Sequence, residues 1–407
     1  MGDWPVMETG SIEFELKFTG APAEIASLPE SSFVSAVAPH GGAWERLTST
    51  YFDTPDSALA ARGLSLRLRE EGAAYIQAVK QKGADPAARR EYETGITDAA
   101  AFPAPCGDDA IDALIAETAE ALAPVAGTMV DRWRSEVWFK GAQIELAIDH
   151  GRVESRDENG SALSGPLAEV ELELLSGPRA SLFEFAKLLI DNASLRSAVG
   201  SKLEKALALK NSAASIGKNN RLNIDADMTA ADVLAAALGD SVARIASLQS
   251  AILDLRMAEG VHQMRVALRR LRAVERIYRR YLKSSEITTL AARAKLIASA
   301  LGPARDWDVF LDETIRAAMK DGAAAQSLRA LKARAEAKRA HAWMQATTVV
   351  NGRDFSHFLM DLTYAATVQS WRTEASDFME APVGVFAEKA LNRALKNVRK
   401  TAARIGP

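Results

Sequence analysis

Cysteine is nearly absent from this sequence: Cys106 stands alone among 407 residues. No intrachain disulfide is available, so stability must come from buried cores, and the chemistry suits a reducing compartment. Long apolar runs are missing too. No uncharged stretch approaches the roughly 18 residues of a spanning helix, and the opening MGDWPVMETG has neither a basic nor an apolar leader region. The expectation is a cytoplasmic protein with no export signal and no membrane partner. Aromatic residues are sparse at 6%, and the formal net charge is only -3. With 48% hydrophobic and 25% charged residues, the composition excludes disordered, collagen-like and membrane-embedded classes. The length implies two or three domains at about 150 residues each.

The small net charge is a cancellation. Residues 1–215 carry 20 Lys and Arg against 33 Asp and Glu, a net of -13, while the remainder carries +10. The polar stretch KNSAASIGKNNRLNID at residues 210–225 coincides with the change of sign, as a domain boundary should. The expected organisation is a first domain over residues 1–210, a linker over 211–225 and a second domain over 226–407.

The acidic half reads as strands. Ile12, Phe14, Leu16 and Phe18 alternate with Glu13, Glu15 and Lys17, the period of two that separates two faces. The pattern returns at Leu64, Leu66 and Leu68 with Arg67 and Arg69, at Ile144, Leu146 and Ile148 with Glu145 and Asp149, and at Val170, Leu172 and Leu174 with Glu169, Glu171 and Glu173. Turn signals such as Gly83-Ala-Asp-Pro86, His150-Gly151 and Ser176-Gly-Pro178 bound these runs. The charged faces are segregated by sign: acids on some strands, and Arg67/Arg69, Lys80/Lys82 and Arg132/Arg134 on others. A merely solvated face mixes signs and includes Ser, Thr and Gln. Closing these strands into a barrel with the charges inward creates a lumen too polar to be a packed core. Such a lumen holds water, ions or an anionic ligand. Carboxylates suit Mg²⁺ or Mn²⁺, and Lys with Arg suits phosphate. Residues 109–123 and 178–189 read as amphipathic helices that cover the outward apolar faces.

The run Glu13-Phe-Glu15-Leu-Lys17 is followed in order by Tyr51-Phe-Asp53, Gly63-Leu-Ser-Leu-Arg67-Leu-Arg69, Lys80 and Lys82, Arg89-Arg-Glu91-Tyr-Glu93, Glu145 and Asp149, Glu169-Val-Glu171-Leu-Glu173, and Ser201-Lys202. On this ordered set, residues 11–207 resemble the CYTH, or triphosphate tunnel metalloenzyme, superfamily. The resemblance implies an eight-stranded antiparallel β tunnel that binds a triphosphate with one or two divalent cations. By motif position Glu13, Glu15, Asp149, Glu171 and Glu173 are metal-ligand candidates, with Glu169 a further carboxylate of the same strand. Lys17, Arg67, Arg69, Lys80, Lys82, Lys202 and Arg132 or Arg134 are the phosphate-holding candidates. Lys17 or Glu171 is the candidate acceptor for the proton of an attacking water.

The basic half reads as a helical bundle rich in Ala, Leu, Arg and Lys. His262, Arg265, Arg269, Arg272, Arg276, Arg279 and Lys283 follow spacings of three and four, so they form one stripe on a helix beside an apolar stripe that includes Met264, Leu268 and Leu271. Like charges at these spacings repel, and only Glu275 relieves them, so a polyanion-binding face is expected. Nucleic acid is disfavoured because no aromatic residue interleaves the basic stripe; Tyr278 and Tyr281 fall on the packing side. The runs His262-Gln-Met-Arg265-Val-Ala-Leu-Arg269-Arg270-Leu-Arg272 and Leu301-Gly-Pro-Ala-Arg305-Asp306-Trp-Asp308-Val309 resemble the CHAD domain. That resemblance implies a basic groove for inorganic polyphosphate, carried here by His262, Arg265, Arg269, Arg272, Lys283, Lys295 and Arg305, with Asp306 and Asp308 orienting arginines. It also implies a second basic helix after a segment like residues 383–405. The sequence ends at Pro407, so the expectation is an incomplete module whose Phe386, Leu391, Leu395 and Val398 need a partner.

Together these readings predict an α+β protein: an N-terminal eight-stranded antiparallel tunnel with covering helices and a C-terminal all-α bundle. The expected activity is metal-dependent hydrolysis of inorganic triphosphate, with adenylate cyclase, thiamine triphosphatase or a non-catalytic polyphosphate-binding protein as alternatives. Nothing in the sequence predicts an oligomeric state.

Overall fold

A computed structural model describes residues 10–71, 74–83, 85, 87–97, 99–157, 159–198, 200–210, 222–283, 286–320 and 325–405. Part of the turn at residues 83–86, most of the expected linker and the chain end at Pro407 lie outside the described residues. The chain divides into two compact units, Met1–Ser215 and Ile216–Pro407.

In the first unit the strands are β1 (Ser11–Thr19), β2 (Ala43–Asp53), β3 (Leu64–Glu71), β4 (Ala74–Lys82), β5 (Ala88–Ile96), β6 (Ala123–Phe139), β7 (Ala142–Arg156), β8 (Ala162–Ser176) and β9 (Arg196–Ala198). They form one sheet in the order β5-β4-β3-β2-β6-β7-β8-β1-β9, and β1 pairs back onto β5. Strands β1 to β8 thereby close an antiparallel barrel, as the resemblance in the ordered motifs implies. One edge of β1 meets β8; its other edge is shared, with Ser11–Phe14 on β5 and Lys17–Thr19 on β9. His150-Gly151 is not a turn: β7 runs through it. The glycine answers a close approach instead, because a Cβ there would stand 2.1 Å from the Met129 carbonyl oxygen on β6.

The barrel has inverted polarity, so its outer face must be covered. The helix Asp109–Thr118 lays Ile111, Leu114 and Ile115 on Leu64, Leu66, Val79 and Tyr92 of β3 to β5. Its first turn is capped by the Asp108 carboxylate, which accepts from the N–H groups of Ala110 and Ile111. The helix Arg179–Asn192 buries Leu182, Phe183, Phe185, Leu189 and Ile190, with Phe183 edge-on to Phe14 of β1 at 6.1 Å. Each such large side chain contributes about 1.5–3 kcal/mol by leaving water.

At one end of the barrel the inward face itself turns apolar. Leu47, Tyr51, Ala126, Val130, Val153 and Leu167 form a cluster with Leu203 and Ala206 of the helix Lys202–Ala208, which stoppers that end. A capping box fixes where this helix begins: Ser201 Oγ accepts from Glu204 N, and Glu204 Oε2 accepts from Ser201 N.

The second unit is helical. Ala230–Leu253, rich in Ala and Leu, is buried along most of its length, which makes it the central helix. Ala258–Tyr278 packs Val261, Met264, Ala267, Leu268 and Leu271 inward and leaves Arg269, Arg270 and Arg276 exposed. Glu286–Ala300, Gly302–Val309, a π-helical turn Phe310–Ile315, Ala325–Asn351, Arg353–Thr367 and Val383–Ile405 follow. Phe386 already has partners inside this unit, since it is buried against Tyr278, Tyr281 and Phe378. Leu391, Leu395 and Val398 are exposed.

Candidate functional site

Inside the barrel lies a cavity of about 290 Å³ whose lining includes nine glutamates and eight lysines and arginines. Near-equal numbers of both signs let the walls compensate one another, and strand register decides who meets whom. Lys80 and Glu91 are cross-strand partners, as are Arg132 and Asp149.

Two networks result. In the inner one, next to the stopper helix, Lys17 Nζ lies 2.7 Å from Glu171 Oε1 and 2.8 Å from Glu15 Oε1. Arg132 donates to both oxygens of Asp149 at 2.7 Å each and to Glu171 at 2.5 Å. Lys202 Nζ reaches Glu171 at 2.6 Å, Asp149 at 2.9 Å and Glu169 at 3.2 Å. Lys205, one turn further along the helix, pairs with Glu169. Burial would raise the Glu171 carboxyl, but Lys17, Lys202 and Arg132 hold it well below the usual range. Burial likewise pulls on Lys17 and Lys202, and their surrounding carboxylates more than offset it, so both stay protonated.

In the outer network Lys80 bridges Glu13 and Glu91 at 2.8 Å each, and Arg67 lies 3.2 Å from Glu93. Carboxylates outnumber cations here. Burial and a hydrogen bond with Glu91 carry the Glu13 carboxyl above its ordinary value. Glu173 is pushed up to about 7 by burial and by the neighbouring Glu15 and Glu145; burial also raises Glu145, against the pull of Arg132 and Arg134.

This imbalance bears on where a divalent cation fits. The oxygens of Asp149, Glu169 and Glu171 lie within 4.8 Å of one another, close enough to share an ion. Arg132, Lys17, Lys202 and Lys205 already neutralise that set. Around Glu13, Glu145 and Glu173 the cations are too few, and a hard metal among their oxygens would replace the protons that burial favours; Glu15 lines the cavity with them. The donor chemistry therefore fits a divalent cation in the outer half.

Among the residues singled out in the sequence, Glu13, Glu15, Lys17, Arg67, Arg69, Lys80, Arg132, Arg134, Glu171, Glu173 and Lys202 line the cavity together. Arg132 is locked to Asp149 and Glu171, whereas Arg134 is half exposed, 3.6 Å from Glu45 and 3.9 Å from Glu145. Asp149 and Glu169 are fully buried behind the lining. Lys82 points away from it: its side chain is 72% exposed and 3.6 Å from Glu204. Glu91 and Glu93, of the Arg89-Arg-Glu91-Tyr-Glu93 run, line the cavity too, as do Arg89 and two carboxylates that the sequence motifs do not single out, Glu45 and Glu71. For Glu45 the signal is alternation, since Trp44 stands on the outer face against His150 at 5.5 Å and Glu45 sits in register with Arg132.

In the helical unit, His262, Arg265, Arg269 and Arg272 lie on Ala258–Tyr278, Lys295 on Glu286–Ala300 and Arg305 on Gly302–Val309; Lys283 lies between the first two helices. Arg269, Lys283 and Lys295 are exposed. Arg265 is tied down instead, donating to the Ala298 carbonyl at 3.1 Å. Asp308 is buried and accepts from Arg339 at 2.7 Å and from the Trp343 indole, so it does orient an arginine; Asp306 is exposed.

The CYTH domain model matches residues 11–207 and the CHAD domain model residues 236–407. A curated relative, an inorganic triphosphatase from Haemophilus influenzae, is 26% identical over 189 residues, covering 44% of this chain and 49% of its own length. The chain thus spans about half of that relative. Among solved structures, a putative adenylate cyclase from Bacillus halodurans is similar at 17% identity with a TM-score of 0.35, covering 49% of this chain and 98% of its own. A putative adenylyl cyclase from Hippeastrum, described as having a dominant triphosphatase activity, is similar at 16% identity with a TM-score of 0.34, covering 49% of this chain and 96% of its own. The charged-walled barrel and the helical unit after it coincide with these two matches, so the chain carries a CYTH domain followed by a CHAD domain.

Proposed function

We propose that the barrel cavity hydrolyses inorganic triphosphate with a divalent cation, Mg²⁺ or Mn²⁺, and that the helical unit binds polyphosphate. The observation that carries the reading is the composition of the cavity wall: basic groups sufficient for a polyanion beside carboxylates short of counter-ions. Glu13, Glu15 and Glu145 would hold the cation, which when bound draws charge from the phosphate oxygens and lowers the pKa of a coordinated water. Lys17, Arg67, Arg69, Lys80, Arg132 and Lys202 would grip the remaining oxygens and hold the chain of phosphates for in-line attack. Lys17 is held protonated by Glu15 and Glu171, so in this arrangement it is a donor to phosphate rather than a proton acceptor. Glu171, engaged with three basic groups, is poorly placed to accept a proton. Glu173 lines the cavity without an ion-pair partner among the described residues and is the acceptor we assign.

Phosphate release from tripolyphosphate, ATP and thiamine triphosphate, measured side by side with and without Mg²⁺, tests the reading. Turnover of tripolyphosphate well above the other two supports it. Preference for either organic triphosphate moves the assignment within the superfamily, and turnover of none leaves a polyphosphate-binding protein.

A further inference from the structure

We infer that Lys205 is a positioning residue: by neutralising Glu169 it keeps one N–H of Lys202 available to a bound anion. The inference rests on the reading of the cavity as a phosphate site. An ammonium group has three donors, and Lys202 has three carboxylates around it, Glu171 at 2.6 Å, Asp149 at 2.9 Å and Glu169 at 3.2 Å. Were all three donors committed, nothing of Lys202 would face the cavity it lines.

Glu169 is the residue that decides this. Its side chain is fully buried, and neither oxygen accepts a hydrogen bond of good geometry among the described residues, so its charge is compensated by nearby ammonium groups, Lys202 and Lys205 first and Lys17 after them. Lys205 takes Oε1 and Lys202 lies at the longer distance from Oε2. The two lysines are three residues apart on Lys202–Ala208 and therefore share a helix face. Lys205 is not part of the cavity lining, so it acts on a ligand only through Glu169 and Lys202. Without Lys205, Glu169 would be a buried charge with one close counter-ion, and Lys202 would be drawn toward it, away from the cavity.

The test is calorimetric titration with inorganic tripolyphosphate, together with KM and kcat, on four proteins: wild type, Lys205→Met, Lys205→Arg and the double variant Glu169→Gln/Lys205→Met. A charge-assisted hydrogen bond predicts an affinity loss of about tenfold in Lys205→Met, seen in KM with kcat little changed. Lys205→Arg, which keeps the counter-ion, retains wild-type affinity, and the double variant, which has no orphaned charge, recovers most of the loss. Mg²⁺ affinity is the same in all four. Lys205→Met binding as wild type does, or a double variant no better than the single one, overturns the inference while leaving the phosphate site intact. Wild-type protein that fails to bind tripolyphosphate overturns the underlying reading and the inference with it. Circular dichroism of the double variant, whose buried charges balance, separates misfolding from mispositioning.

Discussion

Arg132 and Asp149 face each other in register on β6 and β7, and the guanidinium grips both carboxylate oxygens at 2.7 Å. Asp149 is fully buried, so this pair is under tension from desolvation and holds only as long as it is complete. Arg132→Met leaves Asp149 with Lys202 alone and should cost about 3–5 kcal/mol, the usual loss when one partner of a buried pair is removed. The double variant Arg132→Met/Asp149→Asn should cost clearly less than the sum of the single changes. Urea denaturation of the four proteins measures the coupling, and strict additivity would show that the pair is not a unit.

Metal dependence should follow the outer carboxylates. Glu13→Gln and Glu15→Gln are expected to raise the Mg²⁺ concentration for half-maximal turnover by at least about tenfold. Lys82→Ala, which changes an exposed side chain outside the cavity, should alter turnover by less than about twofold. An unaltered Mg²⁺ requirement in both glutamine variants would move the cation away from these residues.

Glu173 gives the metal-free protein a pH signature. Its carboxyl is raised from 4.5 to about 7, so between these values the folded state keeps a proton that the unfolded chain releases. Stability from this residue is therefore present at low pH and lost as pH rises toward 7, by an amount on the order of 1–3 kcal/mol. Compared with wild type, Glu173→Gln should flatten that slope in thermal unfolding followed in EDTA. An identical slope in both proteins would refute it.

On the helical unit, Arg269→Glu together with Arg272→Glu should weaken polyphosphate binding and reduce its dependence on salt, since fewer counter-ions are released per complex. Arg269 is exposed and Arg272 half-buried, on a stripe beside rather than among the buried Met264, Leu268 and Leu271, so the fold should be retained. Binding isotherms at two salt concentrations decide it; an unchanged slope places the polyanion elsewhere.

Gly151→Ala is expected to destabilise the barrel by about 1–3 kcal/mol, because the added methyl would press on the Met129 carbonyl of β6. A stability equal to wild type in chemical denaturation would mean that β7 can draw back from β6.

Much of this was legible in the sequence because parity survives along a strand. Glu13, Glu15 and Lys17 had to share a face, and so did Glu169, Glu171 and Glu173. What parity cannot show is depth. Asp149 and Glu169 lie on the same faces as Glu145 and Glu173, but the stopper helix brings Lys202 and Lys205 over them and removes them from the cavity. Lys82 shares parity with Lys80, yet two residues advance a strand by about 6.6 Å, past the cavity and toward Glu204. Strand β2 lacks a uniform charged face for a related reason. Its inner face runs Glu45, Leu47, Ser49, Tyr51, changing from charged to apolar as it passes from cavity to stopper.

The shared edge of β1 has a consequence for the order of events during synthesis. β1 is made first, but its partner on one side, Glu169–Glu173 of β8, emerges about 150 residues later, and β9 later still. Until then Phe14, Leu16 and Phe18, all buried in the finished barrel, have no cover. Closure is a long-range pairing whose chain entropy is lost before its contacts form. Charges at alternate positions, Glu13, Glu15 and Lys17, oppose edge-to-edge mispairing of this strand in that interval.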